Sequence, residues 1–148
     1  KFQDIIANGS GRIQIGHTFQ GHSLGIAACA ALMNVIEEED LLKRINIKGE
    51  YMRKILQTEL GTNPFYKNIR GRGYIFSLEH KCSNNHLFGL QLHKKMKEEL
   101  NIIINSKWHR TSFIPPFILT DGEIDLLLEK FIYSFKFLSE NWESIEQN

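Results

Sequence analysis

The chain has 148 residues, 42% of them hydrophobic and 24% charged, which is enough to bury the core of one ordinary globular unit and argues against disorder. With 18 Lys and Arg against 17 Asp and Glu the formal charge is +1, so no surplus field recruits nucleic acid or an anionic membrane, and small-molecule or protein partners are favoured. No run approaches the ~18 apolar residues of a membrane span, no charged-then-apolar leader precedes a cleavage site, and Cys29 and Cys82, far apart and in unlike settings, read as reduced thiols of a cytoplasmic protein.

In chain order, Asn8-Gly9-Ser10-Gly11 marks a turn and Arg12-Ile13-Gln14-Ile15 a short strand or extended loop. A helix is predicted from Ser23, as its N-cap, to about Glu39. Its small residues, Gly25 and Ala27 to Ala31 around Cys29, predict close backbone approach and a largely buried helix, one that would expose surface and associate if detached from its surroundings. Asp40 then caps a second helix, with Leu41, Leu42, Ile45, Met52, Ile55 and Leu56 at helical spacing and Gly61 placed to end it. After Thr62-Asn63-Pro64, Ile69-Arg70-Gly71-Arg72-Gly73 leads into a β-branched and aromatic strand, Tyr74 to Glu79. A third helix follows from about Asn85, with Phe88, Leu92, Met96 and Leu100 along one face. Ile102-Ile103-Ile104 reads as a strand, and so does Ser112-Phe113-Ile114, which stops at Pro115-Pro116 because proline donates nothing to a ladder. Thr120 and Glu123 have the form of a capping box ahead of a long amphipathic helix from Ile124 to Trp142. The order predicts an α/β (α+β) unit with a small sheet of three or four strands covered on one face by helices.

Several motifs have plain explanations. Gly9-x-Gly11 and Gly71-x-Gly73 lack the spacing of a nucleotide loop and read as turn chemistry. His17 and His22 lie near no Cys, Asp or Glu that would complete a tetrahedral site, so no metal is assigned. Cys82 beside His80 or His86 lacks an orienting acid for a nucleophile pair, and Phe131, Phe135 and Trp142 read as core. Thr18 stands apart, because a hydroxyl beside backbone N–H groups at the approach to a helix suits a phosphate dianion.

Asn8-Gly9-Ser10-Gly11, His17-Thr18-Phe19-x-Gly21-His22 with the alanine-rich helix, Ile69-Arg70-Gly71-Arg72-Gly73 with its strand, and Pro115-Pro116 before Thr120-x-x-Glu123 form separated signatures in one order. Together they resemble the class III aminotransferases, enzymes of the pyridoxal 5'-phosphate (PLP) fold type I. The resemblance implies a C-terminal portion of such an enzyme: residues 1–40 as the tail of the large PLP-binding domain, with the threonine loop and linking helix, and residues 41–148 as the small C-terminal domain with a mostly antiparallel sheet. It implies PLP as cofactor, with Thr18, His17 and Phe19 at the phosphate, and a homodimer in which that site is shared across the interface.

The implied activity is ping-pong transfer of an amino group from a small-molecule donor to a keto acid or aldehyde. No catalytic residue falls in this chain. Lys1-Phe2-Gln3-Asp4-Ile5-Ile6 matches the helix after the lysine motif of the family, so the Schiff-base lysine is expected upstream and the fragment alone is expected to be inactive. Where several branches of the family place a carboxylate-gripping arginine, this sequence has Asn105, with Arg110 as the nearest alternative. Competing readings are another fold type I PLP reaction, an aminomutase or racemase, and a non-catalytic dimerisation or structural module.

Overall fold

The computed structural model describes residues 1–12 and 16–147, so the predicted extended run Arg12-Ile13-Gln14-Ile15 lies, after Arg12, outside the described residues. The chain divides into two compact units, residues 1–39 and residues 40–148.

The first unit holds two helices. α1 (Phe2–Asn8) ends at the predicted glycine turn, where the amides of Gly9 and Gly11 both donate to the Ile6 carbonyl, at 3.2 and 2.8 Å. α2 (Ser23–Glu38) starts one residue earlier than a Ser23 cap implies: His22 is the cap, its Nδ1 accepting from the Gly25 amide at 3.0 Å. An imidazole nitrogen thus does what a hydroxyl was expected to do. The expectation of a buried helix is not met within this chain, since α2 has no buried residue and leaves Leu24, Ile26, Leu32, Met33 and Val35 exposed.

The second unit opens with α3 (Leu41–Leu60). Asp40 precedes it in a left-handed conformation, φ 48°, and its carboxylate makes no cap hydrogen bond; Gly61 ends the helix as predicted, though with right-handed backbone at φ −58°. Next come β1 (Tyr66–Arg72) and β2 (Ile75–His80), an antiparallel hairpin where the sequence gives grounds for only one strand. The signal was weak because Tyr66-Lys67-Asn68-Ile69-Arg70-Gly71-Arg72 is an edge strand with few buried positions and so little alternation. Gly73 at φ +53° turns the hairpin, and Gly71, at φ +134°, leaves no room for a Cβ against the Ile75 carbonyl.

α4 (Asn85–Glu98) is capped by the Asn84 side chain, which accepts from the Leu87 amide at 3.1 Å. The isoleucine run 102–104 is not a strand: the Ile102 amide donates to Met96 O at 2.9 Å and the Ile104 carbonyl lies 2.6 Å from His93 Nδ1, so both groups are used by α4 rather than by a ladder. The strand begins just after it, as β3 (Asn105–Lys107), and β4 (Arg110–Phe113) stops one residue short of Ile114. α5 (Asp121–Glu140) has the full capping box, with Glu123 N donating to Thr120 Oγ1 and Thr120 N donating to Glu123 Oε2 at 2.7 Å. The predicted terminal helix breaks at Asn141, and α6 (Trp142–Glu146) redirects the Trp142 indole inward to donate to Ser83 Oγ at 2.9 Å.

The sheet runs β1-β2-β4-β3, antiparallel throughout. Its inner face, with Phe76, Leu78, Thr111 and Phe113, packs on α3, α4 and α5 through Met52, Leu56, Phe88, Leu92, Met96, Leu128, Phe131 and Phe135, all of them buried. Phe76 and Phe113 stack as a cross-strand pair at 4.8 Å, and Phe131 meets Phe113 edge-on at 4.9 Å. The helices cover one face only. The predicted α+β unit with a small antiparallel sheet is the fold observed.

Candidate functional site

In the first unit, the segment ahead of α2 is a turn. His17 O accepts from Gln20 N at 3.0 Å and Phe19 O from His22 N at 3.1 Å, with Gly21 at φ +76°. His17, Thr18 and Phe19 are all exposed, Phe19 at 74%, its ring set edge-on to His22 at 6.2 Å. The Thr18 hydroxyl makes no hydrogen bond among the described residues. The Thr18 hydroxyl is a donor whose chemistry suits a phosphate, and it stands five residues ahead of the start of the sixteen-residue helix α2. The three predicted residues are therefore adjacent in one exposed turn.

The substrate-side residues, Asn105 and Arg110, both lie on the open face of the sheet, but not as neighbours. Register defines two rows across that face. Arg70, Ser77, Ser112 and Asn105 are successive partners in one, and Asn68, Glu79, Arg110 and Lys107 in the next. Arg72, opposite Ile75, stands beyond the first row. The Ser77 and Ser112 hydroxyls share a hydrogen bond of 2.9 Å at the centre. Glu79, its side chain 12% exposed, holds Arg70 at 3.1 Å and Lys67 at 3.4 Å. Arg72, Lys107 and Arg110 have no ion pair or side-chain hydrogen bond among the described residues. In the sequence Arg70 and Arg72 belong only to a glycine signature; with β1 a strand, their spacing of two puts both on this face.

An apolar groove of about 1060 Å³ runs between α4, residues 102–107, residues 112–116 and the start of α5, with Leu90, Ile103, Ile114 and Leu126 on its walls. Asn105 reaches this groove as well as the open face; Arg110 does not.

The structure gives Cys82 no histidine partner among the described residues. Its thiol lies 3.7 Å from Asn85 Oδ1, not from a histidine, and burial pushes its pKa up, away from the reactive thiolate. His80, at 1% exposure, packs against Phe88 at 4.9 Å with neither ring nitrogen bonded, and burial lowers its pKa to about 4. Among the described residues no helix is long and apolar enough to cross a membrane, and no group of three His, Cys, Asp or Glu is placed to hold a metal ion.

The family profile described as aminotransferase class-III matches residues 1–134, which takes in both the Thr18 turn and the sheet. The chain is 39% identical over 79 residues to an aminotransferase of Gibberella zeae, covering 53% of this chain and 16% of that protein. It is 32% identical to the acetylornithine aminotransferase of Caldanaerobacter subterraneus subsp. tengcongensis over 76% of this chain and 28% of the relative. Likeness to the ornithine aminotransferase of Halalkalibacterium halodurans is also 32%, over 82% and 29%. Among solved structures, the ornithine aminotransferase of Toxoplasma gondii superposes on 86% of this chain, and 30% of its own, with a TM-score of 0.77 at 30% identity. The chain thus spans less than a third of the length of these relatives.

Proposed function

Because the chain belongs to the class III aminotransferases, we propose that the protein it forms part of is a PLP-dependent transaminase, moving an amino group from a donor amine to a keto acid or aldehyde. Residues 1–40 are the end of its large domain and residues 41–148 its small domain. The observation that carries the reading is a single family profile spanning residues 1–134, over signatures that lie in both compact units.

In this reading the Thr18 turn holds the phosphate of PLP. Thr18 Oγ1 donates one hydrogen bond, and the amides opening α2 add their partial positive charge. His17 and Phe19 shape the turn that presents the hydroxyl. The turn serves the cofactor of a partner subunit, so the working protein is a homodimer. Bound there, PLP supplies an electron sink for the bond broken at the substrate's amino-bearing carbon. The chain's own contribution is to fix the cofactor's phosphate end and to wall the substrate side with the polar sheet face carrying Asn105 and Arg110. The two free thiols, Cys29 and Cys82, fit a reducing, cytoplasmic setting.

The lysine that binds PLP lies, on this reading, in the part of the protein N-terminal to Lys1. Borohydride reduction of the full-length protein with PLP, followed by peptide mapping, tests it. The expected result is a pyridoxyl label on one lysine upstream of Lys1. A label confined to surface lysines in proportion to their exposure would remove the reading. Product analysis separates the alternatives, since an aminomutase or racemase returns an isomer with no second keto substrate.

A further inference from the structure

Between the end of β4 at Phe113 and the cap of α5 at Thr120 the chain runs from Ile114 to Leu119, and Pro115 and Pro116 in that loop have no backbone donor. The loop ties to itself where Leu119 N donates to Pro116 O at 3.3 Å. Its one side-chain hydrogen bond among the described residues comes from far along the sequence: Arg44, in the first turn of α3, donates through Nη2 to Leu119 O and, at 3.2 Å, to Asp121 Oδ1. Ile114, Pro115, Pro116 and Leu119 line the apolar groove that Asn105 also reaches, so this bond fixes a wall of the groove.

An ion pair is not what places Arg44. Lys48 holds the other oxygen of Asp121 at 2.6 Å, and that hydrogen bond is the main reason the Asp121 carboxyl titrates below its ordinary range, with the charge of Arg44 the last of the causes. The Asp121 side chain is 63% exposed, and ion pairs in that setting contribute little. Arg44 Nε, in contrast, is buried with no partner among the described residues, a cost that an exposed ion pair does not offset. A directed, charge-assisted bond to the Leu119 carbonyl accounts for the position of the guanidinium.

We propose that Arg44 is a positioning residue for the substrate side: by holding the Leu119 carbonyl it keeps residues 114–119 in place as a wall of the groove, and the fit of the amino donor depends on that wall. The proposal rests on the aminotransferase reading for the donor; the holding of the loop does not. Arg44 touches no reacting group, so its loss changes how well the donor is held rather than how fast the bound donor reacts.

In the full-length protein, Arg44→Gln is expected to raise KM for L-alanine, with 2-oxoglutarate as acceptor, by roughly fivefold or more while kcat stays within about twofold. Arg44→Lys, which keeps one donor for the carbonyl, is expected to recover most of that loss. Lys48→Gln removes an ion pair to Asp121 and leaves Leu119 untouched, so its KM is expected to stay within about twofold of the parent's. A link that merely joined α3 to α5 would make the Arg44→Gln and Lys48→Gln variants alike. Hydrogen exchange on the same samples reads the loop directly: the amides of Phe117, Ile118 and Leu119 are expected to exchange roughly fivefold faster, or more, in Arg44→Gln than in Lys48→Gln. Unchanged exchange in Arg44→Gln, equal KM changes in the two variants, or a fall in kcat with KM unmoved overturns the proposal. No transfer at all by the unaltered protein would sink the aminotransferase reading and the donor's part in this one, while the exchange result decides the holding of the loop by itself.

Discussion

Thr18 shows how little a single side chain says before its surroundings are known. As a loop threonine it is unremarkable; placed in a turn ahead of α2 with its hydroxyl unbonded, it is free to donate to an anion, and the cofactor's phosphate is the one proposed. One hydrogen bond to a charged group contributes ~1.5–3 kcal/mol, so Thr18→Ala in the full-length protein is expected to weaken PLP retention by roughly tenfold or more. Dialysis titration measures it, and unchanged retention would remove Thr18 from the cofactor site.

His80 makes the other residue-scale prediction. Its folded pKa, about 4, lies below the usual 6.5, because burial disfavours the imidazolium. The unfolded chain therefore binds this proton more readily than the folded one. Stability from this group is fully present above pH ~6.5 and falls as pH drops toward 4, by on the order of 3 kcal/mol. Of the facing groups, Asn85 at the start of α4 acts against burial by favouring the charged form, and His109 acts with burial. Urea unfolding at pH 7 and pH 4.5 reads the slope. In His80→Phe, which leaves no orphaned ring nitrogens beside Phe88, the part of that slope between pH 6.5 and 4 is expected to shrink; an unchanged slope would locate the acid sensitivity elsewhere.

Among the elements, α5 was legible to the residue at its start, because a capping box uses two side chains at fixed spacing and nothing distant. Thr120→Ala is expected to cost ~1 kcal/mol in thermal or urea unfolding. The β1–β2 hairpin was less legible. Its turn residues were visible, but β1 pairs along one edge only and buries too little to alternate. The Ile102–Ile104 run misled for the opposite reason: strong strand propensity lost to hydrogen bonds with α4. Gly49 belongs to no motif. A Cβ there would lie 2.1 Å from Gly73 O, because α3 crosses the hairpin turn at this point and Arg53 Nη1 donates to the same carbonyl at 3.0 Å. Gly49→Ala is expected to destabilise by ~1–3 kcal/mol, the range for overpacking a closed contact, and a stabilised variant would show that the turn can move aside.

For the molecule as a whole, fold class and family were legible because each depends on patterns that survive averaging: an ordered set of signatures and an amphipathic series of helices on one sheet. The substrate side was not. Asn105 and Arg110 were chosen along the sequence, whereas the face they share is assembled across four strands, and Arg70, Arg72 and Ser112 join it only through register. A sequence without its pairing partners carries no such rows. The exposed face of α2 belongs to the same scale: small and apolar residues predicted a buried helix, yet Leu24, Ile26, Leu32, Met33 and Val35 are exposed.

On the proposed function, this chain is the C-terminal part of a PLP-dependent aminotransferase. Its most direct measurement is amino transfer by the full-length protein, with each half-reaction followed separately. Loaded with PLP and given an amino donor alone, the protein is expected to release one equivalent of keto product per site and stop, then to resume when 2-oxoglutarate is added, releasing the aminated acceptor. Continuous turnover of the donor without an acceptor, or no keto product at all from protein that retains PLP, would contradict it.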